Sequence, residues 1–428
     1  MPKGKILPPM RLLGRYLHGA IFAFHGYCRY AAIFAVRREN LFIMNSQERK
    51  EARYQRRKAK RQQRKIEFNK SLGDYDSVLS YEHLYKSSRY CYLDVGWKHS
   101  IQAYRINQVK NTYETWKELQ TRDYKGCGFV CFTICERGKE RNIQSVKINE
   151  RVAQRTLCDY FLTPIVERIV IHDNSASQKG KGIHFALNRF ECHLKRHYRK
   201  FGTKGYILQF DFKNFFGSIN HEKLFELIRK EILDEDIANL LIQLVKNFGE
   251  EGLGLGSQVS QDLAILFPNK LDHFIKSQLR IKGYGRYMDD GYLIHESKEY
   301  LEYCLTEIKR VCSELGIVIN DKKTKIIPLT GKVIFLKVRF RLTESGKVVR
   351  TMDYKSVKRM RRKLKKFKSW VETDKFRLGD VCTSYISWKG YAGKGHNFHK
   401  LQRMDAHFKK LYGIHPNDKI KWRNALCM

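Results

Sequence analysis

Apolar positions along this chain follow two different periods, and the pattern predicts a mixed α+β fold. Between residues 151 and 171 apolar side chains recur at the spacing of an amphipathic helix. Residues 206–210 form a mostly apolar run with the length of a buried strand. Residues 281–295 read as strand, turn and strand, and residues 331–349 as a second hairpin. Further elements are a strand over 126–134 and helices over 222–248, 300–315 and 355–368.

The composition points to a polyanionic partner. The chain has 428 residues and a formal net charge of +39, from 83 Lys and Arg against 44 Asp and Glu. Such an excess argues against an ordinary metabolic enzyme and favours nucleic acid as the partner. Apolar residues make up 42% of the chain, which is enough for a sizeable core. The eleven cysteines form no CxxC pair, so structural zinc is not expected, and free thiols favour a cytoplasmic location.

The first 70 residues differ from the rest. Residues 1–43 are an apolar and basic leader with two open interpretations, an amphipathic anchor or upstream read-through before a true start at Met44. The second is favoured because soluble-looking sequence begins abruptly there, and the apolar runs are too short for stable membrane insertion. Residues 44–70 predict a basic helical arm, either on a nucleic-acid backbone or simply solvated.

Three carboxylates carry the candidate chemistry. Asp289 and Asp290 are adjacent within an apolar strand–turn–strand segment, where burying two charges is costly unless cations compensate. Asp211 ends the apolar strand that lies 78 residues earlier, and it could complete the site. Mg²⁺ prefers carboxylates together with phosphates and waters. Two such ions would activate a 3′-hydroxyl and steady a leaving pyrophosphate.

The chain resembles reverse transcriptases between about residues 129 and 412. The motifs that carry the resemblance are FDFKNFFGSI (210–219), GLGLGSQVSQ (252–261) and YGRYMDDGYLI (284–294). The resemblance implies a right-hand polymerase with fingers, a palm of antiparallel sheet packed on helices, and a helical thumb. The expected regions are 71–205 for the N-terminal region and fingers, 206–350 for the palm with a finger insertion near 222–262, and 351–428 for the thumb and C-terminal helices.

Family roles for the palm residues follow from matching positions. Asp211, Asp289 and Asp290 match the metal-binding carboxylates, and the backbone carbonyl of Phe212 is the expected additional metal ligand. The expected cofactor is a pair of Mg²⁺ ions, with Mn²⁺ as an alternative. Phe216 falls five residues after Asp211, where the family places an aromatic steric gate that favours deoxynucleotides over ribonucleotides.

The glycine-rich motif looks like the loop that supports the template–nucleotide pair, with Leu255, Gly256 and Gln261 as its expected contacts. Many reverse transcriptases carry Gln where Leu255 stands and end the motif with Ser-Pro. The pattern Leu-Gly-x-x-x-Ser-Gln instead resembles the diversity-generating retroelement branch and some phage-defence enzymes. An apolar side chain at this position gives up a polar contact, which leads to the hypothesis of modest fidelity.

Basic residues are matched to the phosphates of the substrate. Lys139 and Arg141 resemble the family's pair that holds the incoming triphosphate. Lys323 is the expected general acid that protonates the leaving pyrophosphate, with Lys322 and Lys325 as rivals. Lys337 stands where the family usually has Gly, in the Phe-Leu-Gly of the primer grip, so the primer contact there stays open.

The resemblance implies an RNA-directed DNA polymerase of bacterial type that adds dNTPs to a DNA primer on an RNA template. A cognate non-coding RNA or a small accessory protein is a further candidate partner. Two alternatives stay open. One is a defence-associated polymerase that makes DNA without a conventional template or primer, and the other is a maturase-like RNA-binding protein.

Overall fold

The computed structural model describes residues 45–93, 95–136, 139–416 and 418. The leader 1–43 therefore lies outside the described residues. The chain divides into two units after Ser71. Within the described residues, no helix combines the length and apolar character that a membrane crossing needs.

The first unit contributes helix α1 (Ser46–Ser71), which contains the predicted basic run. Its side chains are almost all exposed. Glu48 in the first turn and Lys70 in the last turn match the helix dipole, negative near the amino end and positive near the carboxyl end. Charge rather than burial is therefore the main property of this helix.

The second unit begins with helices that lead into a two-stranded hairpin. The strands of this hairpin pair antiparallel, with Phe129 opposite Val146. The elements up to the central sheet are α2 (Tyr75–Val78), α3 (Tyr81–Cys91), α4 (His99–Ile106), α5 (Gln108–Gln120), β1 (Phe129–Glu136), β2 (Lys139–Val146), α6 (Ile148–Leu157), α7 (Thr163–Ile169) and α8 (Ile183–Phe201).

The central sheet has four antiparallel strands in the order β4-β5-β3-β6. Its strands are β3 (Tyr206–Asp211), β4 (Gly283–Tyr287), β5 (Asp290–His295) and β6 (Lys325–Pro328), and the helices between them are α9 (His221–Glu231), α10 (Glu235–Lys246), α11 (Gln258–Leu266), α12 (Asn269–Ser277) and α13 (Lys298–Glu314). The register places Asp211 directly opposite Asp290. Two of the expected carboxylates thus meet at one end of the sheet.

A second sheet and a helical bundle complete the unit. The sheet contains β7 (Val333–Phe335), β8 (Val338–Leu342) and β9 (Val348–Met352), and the bundle contains α14 (Tyr354–Glu372), α15 (Leu378–Ala392) and α16 (Phe398–Tyr412). Phe190 of α8 joins the two sheets, because its ring lies 4.6 Å from Tyr292 of β5 and 4.6 Å from Phe340 of β8, measured between ring centroids. The bundle has its own core, which includes Leu364 and Phe408.

The α+β class expected from sequence is confirmed. The observed elements differ from the predicted ones where helices are interrupted, which the pattern of apolar residues does not reveal. The helix predicted over 222–248 is two helices, because Asp234 caps α10 by accepting a hydrogen bond from the Ile237 amide. The helix predicted over 151–171 contains a π-helical turn at Cys158–Leu162. The segment 331–349, predicted as a two-stranded hairpin, instead lies in a three-stranded sheet, because β7 adds a strand to the hairpin of β8 and β9.

A buried polar layer lies where α8 packs on β5. The Nδ1 atom of His193 lies 3.0 Å from the Tyr292 hydroxyl, and its Nε2 atom lies 3.6 Å from an Asp173 carboxylate oxygen. Burial lowers the pKa of His193 to about 4, and the nearby Lys276 and Arg189 charges act in the same direction, against the opposing charge of Asp173. The imidazole is therefore neutral in the folded protein at neutral pH.

This layer predicts an acid sensitivity. Between pH 6.5 and 4 the unfolded chain binds a proton at His193 that the folded protein does not, so the free energy of unfolding falls as the pH is lowered. Between pH 7 and 4, the free energy of unfolding of His193→Gln should fall by less than that of the wild type. The difference between the two falls, measured by urea denaturation, should reach up to about 3 kcal/mol. The exposed His399→Gln should follow the wild type. Parallel pH curves for His193→Gln and the wild type would contradict the assignment.

Candidate active site

The three carboxylates converge because the last residue of β3 lies beside the turn that connects β4 to β5. Asp211 is the last residue of β3 and pairs with Asp290, the first residue of β5. The Phe212 amide donates to the Asp289 carbonyl oxygen at 3.3 Å, which joins the chain after β3 to the turn. Asp211 is buried, and Asp289 and Asp290 are half-buried. The backbone thus places three acidic side chains at one end of the sheet.

The turn that carries Asp289 is tight and strained. Tyr287 pairs with Asp290, so only Met288 and Asp289 connect the two strands. Met288 has a φ of 53°, a left-handed conformation in which glycine is preferred at this turn position. Such a conformation persists only where the surroundings hold it.

A fully buried ion pair contacts this turn and fixes its position. The Arg286 guanidinium donates to the Asp272 carboxylate of α12 at 2.6 Å and 2.8 Å, and to the Met288 carbonyl oxygen at 2.8 Å. The Tyr284 hydroxyl donates to the same carboxylate at 2.5 Å. Arg286 and Asp272 are at most 1% exposed. Because each charge is satisfied, the pair fixes the turn without an uncompensated buried charge.

The outer edge of β4 is also covered. The Arg286 amide donates to the Asp173 carbonyl oxygen at 3.1 Å, and the Ser175 amide donates to the Arg286 carbonyl oxygen at 3.0 Å. The Asp173 carboxylate receives Lys276 at 2.8 Å and Arg189 at 2.7 Å. Burial would raise the pKa of Asp173, but these cations outweigh it and lower the pKa to about 2. The edge strand is thereby tied to α8 and α12.

The electrostatics of the cluster favour a cation. Burial, followed by the charges of Asp289 and Asp211, raises the pKa of Asp290 to about 7. Burial and the Asp211 charge also raise the pKa of Asp289. Lys323 neutralises part of this negative charge, because its Nζ atom lies 2.6 Å from an Asp211 carboxylate oxygen. Partial burial lowers the pKa of Lys323, but the bond to Asp211 outweighs it, so the pKa is raised.

The donor chemistry of the cluster fits a divalent metal ion. Carboxylate oxygens are the ligands that Mg²⁺ prefers, and burial together with the neighbouring carboxylates raises the pKa of Asp289 and Asp290. In the described part of the chain, no three acidic, His or Cys side chains are already arranged as a metal site. The Lys323 ammonium is the cation that lies against Asp211. Metal ligation by Asp211, Asp289, Asp290 and the Phe212 carbonyl therefore stays a prediction.

A cavity of about 750 Å³ opens over the carboxylates. It brings together many of the residues expected from sequence, namely Arg141, Asp211, Phe216, Leu255, Asp289, Asp290 and Lys323, with the rival lysines Lys322 and Lys325. Gly256 and Gln261 instead line a neighbouring cavity of about 1020 Å³. Lys139 begins β2, and its side chain is not among those described.

The glycine-rich loop is fixed by protein contacts. Gly252 has a φ of 78°, and a Cβ atom on it would lie 2.8 Å from the Phe216 carbonyl oxygen. The Leu253 amide donates to that same oxygen at 2.6 Å. The Leu255 carbonyl oxygen accepts a hydrogen bond from the Gln144 amide at 3.1 Å. The glycine-rich loop thus packs closely against its own chain, and these contacts set Phe216 and Leu255 on the cavity wall.

Sequence reasoning missed several residues that support the carboxylates. Asn320 donates through its side chain to an Asp211 carboxylate oxygen at 3.2 Å and through its backbone amide to the Asp211 carbonyl oxygen at 2.8 Å. Asn320 stands three residues before Lys323 in the sequence, so a role could have been considered. Asp272 has no local signal, because an acidic residue in an amphipathic helix is usually solvated. Arg286 could have been suspected as a charge inside an apolar strand.

Comparison with known families settles the family. The model of the reverse transcriptases, described as RNA-dependent DNA polymerases, matches residues 135–358. The match covers more than half of the chain and includes all three carboxylates. The chain belongs to the reverse transcriptase family. Its enzyme class is therefore nucleotidyltransferase, and the family uses divalent metal ions. Its mixed helices and antiparallel sheets are those of the reverse transcriptase fold expected from sequence.

Other comparisons add little to this reverse transcriptase assignment. No curated protein sequence matches the chain. Apo telomerase from Candida tropicalis, truncated from its C-terminal domain, is 15% identical with a TM-score of 0.41, over 56% of this chain and 60% of that one. Telomerase from Candida albicans with a fragment of telomeric RNA is 12% identical with a TM-score of 0.41, over 70% and 64%. The match spans less than two thirds of either telomerase. At this identity and TM-score, the likeness supports no conclusion about the function of this chain.

The buried pair below the turn predicts separable effects on stability and activity. Arg286→Met leaves the Asp272 charge buried and unpaired, so we expect a loss of about 3–5 kcal/mol in chemical denaturation. Arg286→Met combined with Asp272→Asn should recover much of that loss, because no buried charge is left unpaired. DNA synthesis should stay low in both variants, since the Met288 carbonyl has lost its donor.

The matched control is Arg310→Met, because Arg310 forms exposed ion pairs with Glu307 and Glu314. Its stability should change by less than about 1 kcal/mol. Wild-type DNA synthesis by the Arg286→Met/Asp272→Asn protein would show that Arg286 does not position the turn.

Proposed function

We propose that this reverse transcriptase copies an RNA template into DNA by extending the 3′-hydroxyl of a DNA primer with dNTPs. The observation that carries the proposal is the pairing of Asp211 with Asp290, beside Asp289, in a cavity that Arg141 and Lys323 also line. Carboxylates and cations in one cavity suit the transfer of a nucleotide from a triphosphate.

The carboxylates are the proposed cation ligands. Asp211, Asp289, Asp290 and the Phe212 carbonyl would hold two Mg²⁺ ions, or Mn²⁺ in their place. When bound, such ions lower the pKa of the 3′-hydroxyl and neutralise charge on the phosphates. Burial and then the neighbouring carboxylates raise the pKa of Asp289 and Asp290, and a bound cation would favour the charged form of both groups, which supports this role.

Lys323 is the proposed general acid. A lysine ammonium is protonated at neutral pH, and Lys323 lines the cavity of the carboxylates, so it could donate a proton to the leaving pyrophosphate. Its bond to Asp211 already holds it beside the carboxylates. Arg141, with Lys139, is the proposed clamp on the triphosphate, since a guanidinium matches phosphate oxygens with two donors.

The remaining assignments follow the same proposal. Residues 71–205 would supply the N-terminal region and fingers, residues 206–350 the palm, and residues 351–428 the thumb. Leu255 would contact the template–nucleotide pair from the wall of the cavity over the carboxylates. Gly256 and Gln261, which line the neighbouring cavity, would contact the pair from that side. The basic helix α1 would be an arm on the nucleic-acid backbone.

The subclass is proposed from one motif. The Leu-Gly-x-x-x-Ser-Gln pattern at residues 255–261 favours a bacterial enzyme of the diversity-generating or phage-defence type. A cognate non-coding RNA or a small accessory protein would then be a further partner. Sequencing the products made with and without added RNA tests templated copying, because an untemplated polymerase would give DNA unrelated to the RNA supplied.

Removal of a carboxylate tests the reaction. We expect Asp289→Ala to lower primer extension on an RNA template by about 10³-fold or more, because the proposed cation site is broken. RNA binding should stay close to that of the wild type. Asp321→Asn is the control, since this carboxylate pairs with Lys309 on the surface. Primer extension that survives Asp289→Ala would refute the proposed reaction.

The proposed steric gate gives a second test. Phe216→Val should raise kcat/KM for ribonucleotides relative to deoxynucleotides by about 10-fold or more, because the smaller side chain leaves room for a 2′-hydroxyl. Single-nucleotide extension with matched dNTP and rNTP measures the ratio. Phe398→Ala serves as the control, because Phe398 is exposed on α16. An unchanged ratio in Phe216→Val would exclude Phe216 as the gate.

A further inference from the structure

Strand β1 is an apolar strand with an open edge. Within the described residues it pairs with β2 alone, in a sheet of two strands. Residues 131–135 are all exposed, and the large residues Phe132 and Ile134 are 47% and 44% exposed. An edge strand of this kind presents unpaired backbone amides and carbonyls to any strand that can pair with it. The exposed apolar side chains indicate that a partner covers this strand.

The charge of β1 does not fit a nucleic-acid partner. The whole chain has a net charge of +39, yet residues 126–135 include no charged residue. Proteins bind the nucleic-acid backbone mainly through Lys and Arg at the phosphates, and this stretch offers neither. A second β-strand needs only backbone hydrogen bonds and apolar side chains. The partner that fits the open edge is therefore a protein strand.

The backbone groups that point away from β2 can be identified from one hydrogen bond. The Gln144 amide of β2 donates to the Leu255 carbonyl oxygen, so it points away from β1. Cys131 pairs with Gln144, and this pair is therefore one that exchanges no hydrogen bonds across the hairpin. Because hydrogen bonding alternates along an antiparallel ladder, the amides and carbonyls of Cys131, Thr133 and Cys135 all point outward.

The outward part of β1 is self-complementary. Residues 131–135 read Cys-Phe-Thr-Ile-Cys, with a cysteine at each end and a large apolar residue on each side of the threonine. In an antiparallel pair of two β1 strands centred on Thr133, Cys131 of each copy lies opposite Cys135 of the other. Phe132 then lies opposite Ile134, and each outward backbone group meets an outward group of the second copy.

We propose that two copies of this chain associate by antiparallel pairing of their β1 strands, centred on Thr133. The two hairpins then form one four-stranded sheet, and both copies use the same patch, as a twofold contact requires. The pairing adds about six backbone hydrogen bonds. It engages the outer edge of β1, so β2, which carries Arg141, keeps its place in the hairpin. The contact is small, so the association is reversible and depends on protein concentration.

Two substitutions that add the same charge to opposite strands test the proposal. Thr133→Lys puts two like charges opposite each other at the centre of the contact, which disfavours pairing. Asn142→Lys is the matched control, because Asn142 lies directly opposite Thr133 on β2 and accepts a hydrogen bond from its hydroxyl at 2.9 Å. Both variants lose that bond and add one lysine to the same hairpin, but only Thr133→Lys changes β1.

Sedimentation velocity over a range of protein concentrations measures the dimer Kd, in salt that screens the repulsion between two basic chains. We expect a reversible monomer–dimer equilibrium for the wild type and the same Kd for Asn142→Lys. Thr133→Lys should raise the Kd by about 10-fold or more. A wild type that stays monomeric, or a Kd that changes equally in both variants, would overturn the proposal.

The two exposed cysteines give a second test, which reports the register. Residues directly opposite in a hydrogen-bonded pair have Cα atoms about 5.5 Å apart, which suits a disulfide. Diamide oxidises the two thiols by taking up two electrons and two protons, and mass spectrometry identifies the linked peptides. We expect no disulfide within β1 pairs of Cys131→Ser alone or of Cys135→Ser alone. An equimolar mixture of the two variants should form the disulfide between Cys131 and Cys135.

Disulfides that form as readily in each single variant as in the mixture would show random collision of exposed thiols and would overturn the register. Absence of the disulfide in the mixture would also overturn it. The proposal goes beyond the proposed function and does not depend on it, because both tests are made without catalysis. Failure of the proposed reaction would appear instead as primer extension by Asp289→Ala.

Discussion

The structure depends on one electrostatic constraint, because three carboxylates lie together at one end of the central sheet despite their mutual repulsion. The register of β3 against β5 puts Asp211 opposite Asp290, and the two-residue turn adds Asp289. Burial, followed by the charges of Asp289 and Asp211, raises the pKa of Asp290 to about 7, so the ionised carboxylate is disfavoured at this position. The free energy that holds the carboxylates together must come from the surroundings.

Those surroundings include buried ion pairs as well as apolar packing. Arg286 bridges Asp272 and the Met288 carbonyl, so one side chain joins helix α12 to the strained turn. Asp173 adds a second set of contacts through Arg189 and Lys276. A buried ion pair contributes little net stability compared with apolar residues of the same size. Its value here is that it fixes the position of a turn whose backbone would otherwise relax.

The local features of the site are predictable from sequence, and the long-range ones are not. Adjacent aspartates in an apolar hairpin, and an aspartate at a strand end, are visible because polar residues interrupt an apolar pattern. The break before α10 depends on a cap at Asp234, and helical periodicity runs through it. The pairing of Asp272 with Arg286 depends on tertiary packing, so neither residue identifies its partner. Gln261 matches a motif by spacing, yet the fold turns it toward the neighbouring cavity.

The proposed reaction depends most on Asp211, Asp289 and Asp290 binding a pair of cations together. Electron paramagnetic resonance of Mn²⁺ bound to the protein with primer–template and a non-reactive dNTP analogue tests this directly. We expect spin coupling between two ions about 4 Å apart in the wild type, and the loss of that coupling in Asp211→Asn. Uncoupled Mn²⁺ whose spectrum is the same in the wild type and Asp211→Asn would contradict it.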